Sequence, residues 1–124
     1  MPKTIAIVDD DEAVRDSLAA LLTSAGYEVD TYGTSSAFLR AVQRNRPDGV
    51  ILDHQMIGTT GVEAAEQLGR GKSQMAIVMI SGNLTDAVQR RAKYAGVAAI
   101  LEKPFSDETL IEILEGLFGS KGSG

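Results

Sequence analysis

The sequence predicts an α/β fold, a parallel five-stranded sheet covered by helices on both faces. Three observations carry that reading. Short apolar runs alternate five times with segments whose apolar residues recur at helical spacing. The connections between them are short. Most of the runs are continuous rather than alternating, as strands buried on both faces are.

Each element can be justified in order. "TIAIV" (4–8) is β-branched and continuous and reads as a buried strand. "DEAVRDSLAALLTSAG" (11–26) places Val14, Leu18, Leu21 and Leu22 at helical spacing, with Gly26 as its stop. "EVDTY" (28–32) alternates apolar and polar residues, the pattern of an edge strand. "TSSAFLRAVQRNRP" (34–47) begins on capping hydroxyls, sets Phe38, Leu39 and Val42 on one face, and runs to Pro47. "GVILD" (49–53) is a second buried strand, followed by a loop (54–61) and a short helix, "VEAAEQLG" (62–69). "MAIVMIS" (75–81) is the most apolar segment and is expected at the centre of the sheet. A helix (84–96), a last strand "AAIL" (98–101), the turn "EKPF" (102–105) and a helix (106–118) complete the chain. Ser106, Thr109 and the acids beside them suit a helix N-terminus. One domain is expected over 1–119. The Gly/Ser-rich remainder, 120–124, reads as a flexible tail.

Composition narrows the function. With 124 residues and 44% hydrophobic residues, the chain is long enough for a real core. A net charge of −5 argues against direct nucleic-acid binding and against a polybasic membrane anchor. The absence of cysteine excludes disulfides, zinc ribbons and thiol chemistry. The first apolar run is too short for a signal peptide or a membrane span, so a cytoplasmic location is expected.

The polar residues that carry chemistry gather at the strand ends. In a parallel sheet all carboxyl ends lie on one rim, where ligands bind. Strand 1 ends in Asp9 and Asp10, strand 3 in Asp53, strand 4 in Ser81, and strand 5 just before Lys103. Like charges about 4 Å apart repel by roughly 1 kcal/mol in water and roughly 4 kcal/mol near a protein surface. A hard divalent cation offsets that repulsion, and magnesium takes carboxylate and phosphate oxygens together. A carboxylate in such a site can itself attack phosphorus and form an acyl phosphate. A lysine and a hydroxyl beside it suit phosphate oxygens.

The combination of "VDDDEAVR" (8–15), "VILD" (50–53) with Met56 and Gly61, "VMIS" (78–81) and "EKPF" (102–105) resembles the receiver domain of bacterial two-component response regulators. The resemblance runs from about Lys3 to Phe118. It implies a flavodoxin-like sheet in the order 2-1-3-4-5. Asp53 is then the phosphoacceptor. Asp9, Asp10, Asp53 and the backbone carbonyl of Gln55 hold Mg2+. Ser81 is the switch hydroxyl, Lys103 pairs with a phosphoryl oxygen, and the Lys103–Pro104 bond is cis. Gln55 and Asn83 occupy positions that tune dephosphorylation in the family. Two residues depart from the family pattern. Ile57 stands where proline is usual, and Ile100 where a tyrosine or phenylalanine swings inward on activation.

The resemblance further implies a partner, a sensor histidine kinase or a histidine phosphotransfer protein, and no chemistry beyond self-catalysed phosphorylation and dephosphorylation of Asp53. The face of helix 4, strand 5 and helix 5 is the expected site of a homodimer or partner contact. No helix-turn-helix is present, and a stand-alone receiver is expected rather than a fragment of a longer regulator.

Competing readings are weaker on the residues themselves. Asp11 and Glu12 read as an acid-rich helix start outside the site. His54, the single histidine, lacks a second histidine to share a metal and reads as a half-exposed loop residue. Arg90, Arg91 and Lys93 read as a solvated helix face, and Met56, Met75 and Met79 as packing. A haloacid-dehalogenase-type phosphohydrolase would carry Asp-x-Asp, yet His54 and Gln55 follow Asp53. A flavin carrier would want a Ser/Thr/Gly loop after strand 1, where acids stand instead. A receiver-like module independent of phosphorylation has only Ile57 and Ile100 in its favour.

Overall fold

Five parallel strands form one sheet in the order β2-β1-β3-β4-β5. The structure, a computed structural model, describes residues 2–56, 58–68 and 75–119. In chain order these contain β1 (Thr4–Val8), α1 (Glu12–Ser24), β2 (Glu28–Tyr32), α2 (Ser35–Val42), β3 (Gly49–Asp53) and α3 (Gly61–Leu68). They continue with β4 (Ala76–Ser81), α4 (Asp86–Tyr94), β5 (Ala99–Glu102) and α5 (Asp107–Phe118). Ile57, the end of the predicted helix at Gly69, and the tail 120–124 lie outside the described residues.

The continuous apolar runs are explained by helices on both sides. Side chains alternate across a strand. Ile5, Ile7, Ile51, Val78 and Ile80 therefore face one way and pack on Leu18 and Leu22 of α1 and Leu110 and Leu114 of α5. Ala6, Val8, Val50 and Leu52 face the other way, onto Phe38 and Val42 of α2 and Ala64, Ala65 and Leu68 of α3. A smaller cluster of Val62, Met79 and Ala92 seats α4 and includes half-buried Ile100 at its margin. Met56, Met75 and Met79 are all buried packing, as read from the sequence.

Helix starts follow local chemistry. Asp11, Thr34, Thr85 and Ser106 each accept backbone N–H groups of the first turn as N-caps. At α3, Thr60 Oγ1 accepts from Glu63 N (3.2 Å) while Glu63 Oε1 accepts from Thr60 N (2.9 Å), a reciprocal capping box.

Helix and strand ends differ from the sequence reading where packing decides. The second helix, expected to reach Pro47, ends at Val42. Beyond it come Gln43, Arg44, Asn45 and Arg46, which offer nothing apolar to bury, and the chain tightens into turns on the Ala41 carbonyl. The fourth helix starts at Asp86 rather than residue 84, because Thr85 is its cap. The last strand is shifted by one residue to Ala99–Glu102, since the ladder continues to the pair Ser81 and Glu102.

Gly61 is needed for backbone space. A Cβ there would lie 2.7 Å from His54 Cα and 3.0 Å from the Asp53 carbonyl oxygen, neither of which can swing aside. Gly116, inside α5, is open: a Cβ added there would meet nothing within 4 Å. Gly61→Ala is expected to cost about 1–3 kcal/mol of stability. Gly116→Ala is expected to add about 0.5–1 kcal/mol through helix propensity. Denaturant midpoints of the two variants check this pair of opposite signs.

Candidate functional site

The parallel pairing of β1 with β3 brings Asp9, Asp10 and Asp53 together on one rim. One carboxylate oxygen from each lies within 4.8 Å of those from the other two. Asp9 and Asp53 are buried, at 2% and 5% exposure, while Asp10 is exposed. Lys103, from the turn after β5, reaches Asp53 Oδ2 at 3.3 Å. One ammonium thus faces three carboxylates. The Lys103–Pro104 bond is cis, as the resemblance implied.

Backbone donors satisfy one oxygen of each buried acid. Asp53 Oδ1 accepts from Gln55 N (3.0 Å), and Asp9 Oδ1 accepts from Asp11 N (2.9 Å). Asp9 Oδ2 is buried with no hydrogen-bond partner. An orphaned, buried carboxylate oxygen beside two more carboxylates is a costly arrangement without a cation. An all-oxygen donor set of this kind fits Mg2+. Burial pushes the Asp9 carboxyl up from its ordinary 3.8 to about 6, and the Asp53 charge adds to the rise. The Asp11 N–H and the Lys103 charge oppose it.

The remaining expected residues fall into two groups. Ser81 ends β4, is fully buried, and accepts from Asn83 N at 3.2 Å through its Oγ. Its carbonyl accepts from Lys103 N at 2.9 Å, tying the loop after β4 to the lysine. Gln55 and Asn83 are exposed at the mouth. Ile100 sits apart from the acids, half-buried against the cluster under α4.

Three contacts go beyond the sequence reading. Arg15 Nη1 donates to the Asp9 carbonyl at 2.7 Å and lies against Gly33, bracing the end of β1. The Gln55 side chain crosses to Gly82, where its Oε1 accepts from the backbone N–H at 2.7 Å. His54, read as a bland loop residue, accepts from Val62 N at 3.3 Å through Nδ1 and so helps to cap α3. Burial, and then the Arg91 charge, lower the His54 pKa, which favours the neutral ring that this bond requires. Arg15 had a signal in its motif. The other two depend on loop paths that no local pattern encodes. Arg91, expected on a solvated face, forms an exposed pair with Glu66 at 2.8 Å.

Residues 5–115 match the family model of the response regulator receiver domain. The chain belongs to that family. This receiver domain is 33% identical over 121 residues to the transcriptional regulatory protein FixJ of Azorhizobium caulinodans, covering 96% of the chain and 57% of that protein. It is 36% identical over 112 residues to FixJ of Rhizobium meliloti, covering 90% of the chain and 55% of that protein. The chain therefore spans about half the length of these relatives. Among solved structures it resembles the chemotaxis protein CheY4 of Vibrio cholerae, with a TM-score of 0.86 and 30% identity over 94% of the chain and 99% of that one. It also resembles a CheY-like receiver domain protein from Methanospirillum hungatei, with a TM-score of 0.89 and 28% identity over the full length of both. The family and the sheet order expected from the sequence are both borne out. Among the described residues, no helix of this receiver domain is long and apolar enough to cross a membrane.

The raised Asp9 pKa has a definite sign. Above about pH 6 the folded receiver domain holds a charge that burial disfavours, so Asp9 costs stability there. As pH falls through 6 towards 3.8 that cost is relieved. Asp9→Asn is expected to raise metal-free stability by roughly 1–3 kcal/mol at pH 7, with the gain vanishing near pH 4. Mg2+ is expected to raise the wild-type melting temperature and to leave that of Asp9→Asn nearly unchanged. Thermal melts across pH, with and without Mg2+, check both.

Proposed function

We propose that this receiver domain accepts a phosphoryl group on Asp53 in a Mg2+-dependent reaction and changes conformation in response. The observation that carries the reading is the cluster itself. Three carboxylates each place an oxygen within 4.8 Å of those from the other two, one oxygen is orphaned and buried, and Lys103 stands 3.3 Å from Asp53. Asp9, Asp10, Asp53 and the Gln55 backbone carbonyl would hold the cation. Bound there, it supplies positive charge against carboxylate and phosphoryl oxygens alike.

The protein's own groups account for the rest. Asp53 is buried and held by the Gln55 N–H and Lys103, so its carboxylate presents an ordered oxygen to an incoming phosphorus. The donor is a phosphohistidine of a sensor kinase or phosphotransfer protein. The Asp53 oxygen forms an O–P bond as the P–N bond breaks, and the bonding pair stays on the imidazole nitrogen. Lys103 then holds a phosphoryl oxygen, and the Ser81 hydroxyl donates to another. The group brings about −1.5 to −2 of charge and three acceptor oxygens to the rim.

The response is a shift of population between two arrangements of the loop after β4. That loop leads into α4, whose partner face is continuous with β5 and α5. A groove between α4 and β5 is lined there by Arg90, Lys93, Val97 and Ile100. We place the homodimer or partner contact on this face and the receiver unit within 1–119, in the cytoplasm. Dephosphorylation is self-catalysed, with no separate substrate.

Intact mass after incubation with Mg2+ and acetyl phosphate tests the reading. One phosphoryl adduct is expected on the wild type. It should disappear on chelation and be absent from Asp53→Asn. An adduct that survives in Asp53→Asn would move the acceptor elsewhere.

A further inference from the structure

Gln55 does two things at once. Its backbone N–H donates to Asp53 Oδ1 at 3.0 Å, and its side-chain Oε1 accepts from Gly82 N at 2.7 Å. The second bond joins residues 27 apart in the chain across the mouth of the site. Gly82 is the first residue after β4, next to buried Ser81. A Cβ on Gly82 would lie 2.9 Å from Gln55 Oε1 and 3.9 Å from Lys103 Cδ. The Gly82 backbone therefore stands over the stem of the lysine that pairs with Asp53.

A phosphoryl group on Asp53 would offer three acceptor oxygens to this rim. Donors on this rim include the Lys103 ammonium, the Gln55 N–H, the Ser81 hydroxyl and the Gly82 N–H. Ser81 Oγ accepts from Asn83 N, which leaves its own hydrogen free to donate. The Gly82 N–H is already engaged by Gln55. The neutral amide oxygen occupies a donor that a charged phosphoryl oxygen would take more strongly.

We infer that the Gln55 side chain is a latch across the mouth of the acid pocket, holding the Gly82 N–H and the loop after β4 in the resting arrangement until a phosphoryl group displaces it. Gln55 is thus a positioning residue acting through Gly82. The inference rests on the reading of Asp53 as phosphoacceptor. It concerns the side chain of Gln55, separate from the backbone carbonyl assigned to the cation.

Two variants open the latch by different routes. Gln55→Ala removes the acceptor and keeps the backbone N–H and carbonyl. Gly82→Ala keeps the donor but puts a methyl against Oε1, the free end of a flexible side chain. Gly82 has no positive φ, so alanine suits its backbone. The first readout is hydrogen exchange of the residue-82 amide by NMR, each rate taken relative to the intrinsic rate for the residue at that position, without metal or phosphodonor. The second is the initial rate of adduct formation from acetyl phosphate with Mg2+. Loss of one hydrogen bond predicts exchange and adduct formation each faster by about three- to tenfold in both variants. A merely structural role for Gln55 would lower thermal stability without speeding adduct formation.

An unprotected Gly82 amide in the wild type overturns the latch and leaves the phosphoacceptor reading intact. So do adduct rates unchanged or slower in both variants. No adduct in any of the three proteins overturns that reading and the latch with it.

Discussion

A parallel sheet delivers the carboxyl ends of its strands to a single rim, and every group of the acid site depends on that geometry. Asp9 and Asp10 follow β1, Asp53 ends β3, Ser81 ends β4 and Lys103 follows β5. At least one whole helix separates each of these strands from the next along the chain. Their convergence comes from the ladder, which sets Val8 beside Leu52, Asp53 beside Ile80 and Ser81 beside Glu102. The register is fixed in turn by burial on both faces. A slip of one residue would turn each strand's apolar set onto the wrong helix layer.

That architecture carries an electrostatic cost in its metal-free form. Two of the three acids are nearly inaccessible, and one oxygen of Asp9 has no donor. A fold under selection for stability alone would replace such a group with a neutral one. The raised Asp9 pKa expresses the same strain as a proton affinity. Lys103 relieves part of it but is itself half-exposed and single. The proposed cation and phosphoryl chemistry accounts for why the site is built with more negative charge than its own residues balance.

Polar ties fasten the loops of the rim, alongside the buried Met56 in the β3–α3 connection. The Thr60 and Glu63 capping box, the Val62 N–H on His54, and the Gln55 bond to Gly82 fasten the β3–α3 and β4–α4 connections. Single hydrogen bonds of this kind are worth about 1 kcal/mol each. Loops secured this way can be rearranged by one charged group, whereas the strands beneath them, packed on both faces, cannot. A rigid platform with an exchangeable rim is the physical requirement of a switch.

How much of this was legible in the chain varies from residue to residue. The five strands, their burial and the acids at their ends were readable, because apolar periodicity and β-branching are local properties of the chain. Asp11 as a cap and Ser106 as a cap were readable for the same reason. The early end of α2 at Val42 had a local signal in the polar run 43–46, whereas the one-residue shift of β5 had none, since it depends on what the neighbouring strand offers to bond. His54 looked bland because its partner, Val62 N, is brought to it by a loop whose path follows from the backbone space at Gly61. Gln55 could be placed at the mouth from its position after Asp53, yet its bond to Gly82 spans two strands and needs both loops in place. The sequence by itself determined the fold class, the family resemblance and which residues meet at the rim. Only the tertiary structure decided which oxygen is orphaned, which donor is already taken, and which side chain crosses the mouth. Those are properties of distances between segments far apart in the chain, and no local pattern encodes them.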